Sequence, residues 1–246
     1  MQVQVKNIKG FNLLEVLIVI VIVGFVSAVA YPNLSNWSKE RKGRGAAVKI
    51  KSLMEKINAQ VLRGNYAFVQ VYFNAGKDDS DNWRVLVKSR GMRVSTLNSK
   101  INDGEDAWNK TISSRCNITS DTYWDDDPEG NSIGGTGQDI LEVQKIELED
   151  VMLSFEGTSA VCFSKNARWF SASPEFTSGD ADDPTYDERM FLCLKTSLLN
   201  TCQMNETTGE PMDKEQKDIY SIDWTRFGDI TIDKWSIANQ DWALLQ

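Results

Sequence analysis

From Phe11 to Tyr31 the chain is apolar at nearly every position, and Asn12, Glu15 and Ser27 are its only polar side chains. The run is about the length of helix that crosses a bilayer core of roughly 30 Å. In lipid it must be helical, because its backbone groups have no water to bond. After Pro32 the pattern changes. Ala46, Ile50, Leu53, Ile57 and Val61 recur at spacings of four, three, four and four, one apolar stripe on a helix. Lys49, Lys51, Lys56 and Asn58 fall off the stripe. Gly64, after Arg63, reads as the stop. Pro32 bends the rod by removing a hydrogen bond, and Gly43 and Gly45 weaken its middle. A helix from about Phe11 to Arg63 would be roughly 80 Å long. It would be apolar on all sides in its first half and along one stripe in its second, the profile of a stalk in lipid continued as a spine on a globular head.

The remainder reads mostly as β. Ala67 to Phe73 and Trp83 to Val87 are strand-like, Glu142 to Phe155 carries an apolar series whose second part alternates strictly, and Met190 to Leu194 is a compact apolar strand. Ala160 to Phe163 and Arg168 to Phe170 flank Lys165-Asn166 as a hairpin. Tyr220 to Trp224 and Ile230 to Trp235 flank Arg226-Phe227-Gly228-Asp229 as a second. The fold class expected is α+β: one long N-terminal helix packed on an antiparallel β-sheet head. The domains are a short basic leader at 1–10, an apolar membrane-length helix at 11–31, its amphipathic continuation at 32–63, and a head at 64–246 with an insertion at about 74–145. Two stretches, Asp121 to Asp139 and Ser171 to Asp187, are acidic and turn-rich.

Charge divides the chain the same way. Of 27 basic and 35 acidic residues, positions 1–63 hold 10 and 3, so that part is +7 and the rest is −15. An acidic head lacks the positive field that phosphates require, so nucleic acid is not expected as its partner. The basic stretch Lys39 to Lys51 reads as a solvated helix face, or one that meets the acidic heads of neighbours.

Glu15 is the unusual residue. No Lys or Arg follows it before Lys39, and a charge at mid-membrane costs at least about 2.5 kcal/mol. A leader from Met1 to Gly10 with Lys6, Lys9 and no acid, then Phe11, Glu15 at the fifth position after the glycine, the apolar run and Pro32 together resemble the N-terminus of type IV pilins and of the pseudopilins of type II secretion. The closing segment from Ile222 to Ile232 looks more loosely like the final hairpin of minor pilins of the secretion-H and FimT/FimU type. The resemblance implies a pilin fold and cleavage by a prepilin peptidase between Gly10 and Phe11, with methylation of the new Phe11 amine. It also implies assembly in which a neighbour's Phe11 amine meets Glu15. The implied partners are other pilins or pseudopilins, the peptidase and, before assembly, the inner membrane, with the head in the periplasm and later on a pilus or pseudopilus.

Two other readings of this end are a secretory signal peptide, with Ala28-Val29-Ala30 as its cleavage site, and a plain anchor. The first would free an exported binding module beginning at Tyr31. Against a simple anchor, Lys39, Arg41, Lys42 and Arg44 outweigh Lys6 and Lys9, so loop charges alone would put the C-terminal side in the cytoplasm.

Four cysteines, Cys116, Cys162, Cys193 and Cys202, in an exported head imply disulfides. Cys193 with Cys202 would close a short loop after a strand and leave Cys116 with Cys162. Cys162 with Cys193 is the competing pairing. No cofactor is expected. The acidic loops offer the hard oxygens that suit Ca²⁺, but Asp125 to Glu129 lacks the spacing of an EF-hand loop, and no metal ligand is assigned. With no histidine, neither a Ser-His-Asp triad nor a Cys-His pair can be built, and no phosphate-binding loop occurs. The chain reads as a structural subunit and not an enzyme.

Overall fold

The computed structural model describes residues 12–64, 66–78, 80–95, 98, 102, 140–164, 169–171, 188–195, 199–205, 208–224 and 229–245. Among the described residues the architecture is α+β: helix α1 (Leu13–Leu62) followed by ten strands. The chain divides into two compact units, Met1–Arg41 and Lys42–Gln246, and α1 supplies residues to both.

In the larger unit the strands form two five-stranded antiparallel sheets. The first has the order β3-β2-β1-β5-β6 and the second β10-β9-β8-β7-β4. The strands of the first are β1 (Phe68–Lys77), β2 (Trp83–Met92), β3 (Ile140–Leu148), β5 (Gly157–Ser164) and β6 (Trp169–Ser171). Those of the second are β4 (Val151–Leu153), β7 (Glu188–Leu194), β8 (Ile219–Trp224), β9 (Ile230–Ser236) and β10 (Asp241–Leu244). One core joins α1 to both. Ala46, Ile50, Leu53, Ile57 and Val61, the stripe expected from spacing, are all buried, together with Ala47 and Met54 beside them. They meet the inward-facing Val69, Val71 and Phe73 of β1 and Ile222 and Trp224 of β8 in a single cluster.

Sequence and structure differ in several places. The described strands of the head form two sheets and not one. β2 and the ends of β1 and β3 fall inside the stretch read as an insertion. Val151, Met152 and Leu153 are all buried, so the alternation read there does not separate an inner from an outer face. The edge of β4 away from β7 is covered as well: the Trp83 indole N–H of β2 donates to Val151 O at 2.9 Å, and Cys202 N–H donates to Leu153 O at 2.9 Å. β10 was not anticipated, because it is only four residues long. Gly43 is no weak point in the helix. It is buried, and a Cβ there would lie 2.7 Å from Tyr220 Cε2, so the bare backbone is what lets α1 sit against β8. The acidic loops at 121–139 and 172–187 lie outside the described residues.

The connection from β7 to β8 is fastened over the outer face of the second sheet. Trp242 Nε1 donates to Gly209 O at 3.2 Å and Trp235 Nε1 to Lys214 O at 3.0 Å. Trp242 stacks on Phe191 and meets Trp235 edge-on, each with ring centroids 5.4 Å apart. The Cys193–Cys202 disulfide, with Cα atoms 5.8 Å apart, anchors the start of the connection.

Candidate processing and assembly site

α1 begins under an asparagine cap. Leu14 N–H donates to Asn12 Oδ1 at 3.3 Å, and the N–H groups of Glu15 and Val16 donate to Asn12 O at 2.9 and 3.2 Å. The side-chain bond satisfies one of the donors that a helix start leaves over. Glu15 therefore sits in the first turn, where the positive end of the helix dipole favours a carboxylate. Nothing in the sequence pattern singled out Asn12 for this role, although its type and its place before the periodic run are the usual signal for a cap.

Around Glu15 the surface is almost wholly apolar. Twelve large hydrophobic side chains between Leu13 and Val26 are exposed, from 45% at Val16 to 81% at Leu13. Leu13, Val16, Leu17, Ile20 and Val21 line one concave strip, and at 100° per residue Glu15 falls on the opposite side of the helix. A contiguous apolar face of this kind marks a surface covered by lipid or by other protein. Among the described residues no helix is long and apolar enough to cross a membrane. Phe11, and the side chains from Ala28 to Pro32 at the far end of the expected span, lie outside those residues.

Residues 5–31 match the family model for the prokaryotic N-terminal methylation motif. The chain carries the type IV pilin signal. The match covers the second half of the leader, Gly10, Phe11, Glu15 and the apolar run, and it makes the chain pilin-like at this end. The motif implies, in general terms, peptidase processing, assembly with other pilins, and membrane anchoring before the pilus. Proteins of this motif are structural. No solved structure matches the chain.

The other site residues fall as follows. Gly10 and Phe11 lie outside the described residues, so the cleavage point has no geometry here. Cys193 and Cys202 are bonded to each other, which closes the alternative of Cys162 with Cys193. Cys162 is also disulfide-bonded, no described cysteine is free, and Cys116 lies outside the described residues. Among the described residues no group of three or more His, Cys, Asp or Glu is placed to hold a metal, and the loops weighed for calcium are not among them.

Spacing gave no hint of a polar cluster on the outer face of the second sheet. Arg189 of β7 faces Asp223 of β8 across the ladder, with Arg189 Nε 3.0 Å from Asp223 Oδ1. This is an ion-pair contact without the alignment of a hydrogen bond. The Ser221 hydroxyl donates to Asp223 Oδ2. Burial pushes the Asp223 carboxyl up to about 6, with Asp233 adding to the rise, against the pull of Ser221 and Arg189.

Proposed function

We propose that this chain is a minor pilin or pseudopilin, a structural subunit that a prepilin peptidase cuts after Gly10 and that then enters a type IV pilus or a type II secretion filament through α1. One observation carries the reading: a single carboxylate, Glu15, stands in the first turn of a helix whose other large side chains as far as Val26 are exposed hydrophobics, within a methylation motif.

The chemistry follows from that placement. Cleavage after Gly10 gives Phe11 a free α-amine, a cation at the depth of Glu15. A neighbouring subunit displaced along the filament brings its amine to this carboxylate, and the pairing relieves a charge that lipid or packed helices would otherwise leave uncompensated. The apolar side chains meanwhile find cover among other helices. Methylation of the Phe11 amine leaves its charge in place. With 246 residues, the chain is large for a subunit that must stack densely, which favours a minor component displayed at few positions. Its work is assembly and presentation of the acidic head, not turnover.

N-terminal sequencing of the mature protein from its native host tests this. A chain starting at Phe11 is the expected result. A start at Tyr31 would make it an exported binding module, and a retained Met1 a plain membrane-anchored one.

A further inference from the structure

Away from the N-terminus, a groove of about 230 Å³ lies between the last turns of α1 and the β2–β3 edge of the first sheet. α1 contributes buried Leu53 and Ile57, and beside them Lys56, Gln60 and Arg63. The sheet contributes Ser89 and Gln144, which face each other across β2 and β3, with the Ser89 hydroxyl donating to Gln144 O at 3.3 Å. Directly beyond this pair the β2–β3 register slips between Ser89 and Arg90, and β3 is an edge strand of its sheet.

The charges here run against the rest of the molecule. The head carries many more acids than bases, and several cations elsewhere in the larger unit are matched: Lys42 with Asp150 at 2.9 Å, Lys77 with Asp81 at 2.7 Å, Lys214 with Glu210 at 3.0 Å, whereas the groove is lined by two cations and no carboxylate. Even Glu55, next to Lys56 in sequence, is engaged by Lys51 at 3.6 Å. Lys56 and Arg63 are both exposed, and neither makes an ion pair with any described residue. They stand seven residues apart, about 10 Å along the helix axis. That separation is within reach of acidic side chains two or four residues apart on an extended peptide, which share one face of the strand.

We propose that this groove binds an extended acidic peptide segment of a partner protein, with Lys56 and Arg63 each taking a carboxylate. The inference rests on the larger unit alone and stands or falls separately from the filament reading.

The test uses the full chain in detergent micelles, titrated with a fluorescein-labelled hexaglutamate peptide at low salt. Saturable binding is expected. It should weaken at least about tenfold in the Lys56→Gln/Arg63→Gln double variant, the loss of two charge-assisted contacts at about 1.4 kcal/mol per factor of ten. Lys49→Gln, at an exposed cation outside the groove, should bind as the parent does. All these positions are on the surface, and circular dichroism confirms that the variants remain folded. The proposal is overturned by absence of saturable binding, by equal weakening in Lys49→Gln, or by inorganic phosphate competing as well as unlabelled peptide, which would make the site a general anion trap.

Discussion

Two glycines only two residues apart but in different surroundings show how much a single missing Cβ decides. Gly43 and Gly45 both sit inside α1, where alanine is favoured by about 1 kcal/mol on propensity. At Gly45 an added Cβ meets nothing within 4 Å, whereas at Gly43 it would stand 2.7 Å from a carbon of Tyr220, whose side chain is fully buried and has nowhere to go. Gly45→Ala should therefore stabilise the protein by up to about 1 kcal/mol. Gly43→Ala should destabilise it by about 1–3 kcal/mol, the cost of overpacking. Urea midpoints of the two variants give the answer, and equal shifts would mean that Tyr220 yields freely. Asp223 makes the second prediction at this scale. Its carboxyl titrates near 6 in the folded chain against 3.8 for the free group, so the folded state holds the proton more tightly. The stability this brings is fully present below about pH 3.8 and is lost as pH rises through 6. Two pKa units correspond to about 3 kcal/mol. Asp223→Asn, neutral throughout, should gain on the parent by about 2–3 kcal/mol between pH 4 and pH 7 in paired denaturant titrations. A gap that does not change with pH would show that Arg189 and Ser221 fully offset the burial.

At the scale of elements, the Cys193–Cys202 bridge is the clearest control point. It ties the end of β7 to a connection that also reaches Trp235 and Trp242, and both sulfurs belong to buried residues. Closing so short a loop is worth about 2–3 kcal/mol by the chain-entropy argument. Cys193→Ala/Cys202→Ala should lower unfolding stability by that amount under non-reducing conditions, and a parent treated with reductant should approach the variant. Elements also show what a linear pattern carries. The stripe from Ala46 to Val61 was legible because an amphipathic helix repeats its burial every three or four residues, and β8 and β9 because their apolar positions are bounded by turn residues. Glu15 stood out because a charge inside an apolar run is costly wherever the helix lies. What could not be read depends on contacts remote in sequence. Whether the described strands make one sheet or two follows from pairings such as β1 with β5 and β4 with β7. The Arg189–Asp223 contact needs two strands laid side by side, and the Lys56–Arg63 groove needs a helix against a sheet edge. Gly43 looked like a weak helix position because its partner, Tyr220, is far along the chain.

Taken as a whole, the molecule pairs a helix whose first part is apolar and exposed with a larger unit that buries its own core, and the one charge in the apolar part is the hinge of the proposed function. If Glu15 served only the helix start, its loss would cost a few tenths of a kcal/mol to about 1 kcal/mol of dipole interaction, and assembly would continue. If it receives a neighbour's Phe11 amine, its loss leaves that amine buried and unpaired, a penalty of about 3–5 kcal/mol, or roughly two to nearly four orders of magnitude in incorporation. Glu15→Leu separates the two cases because it makes the run more apolar and so preserves membrane insertion. The variant should appear in the membrane fraction at parental level and be absent from sheared filaments when both are probed by immunoblot. Glu15→Asp keeps the charge on a side chain shorter by one methylene and should restore part of the incorporation. Parental amounts of Glu15→Leu in filaments would remove the amine–carboxylate pairing from the account, and the apolar face of α1 would then have to direct assembly without it.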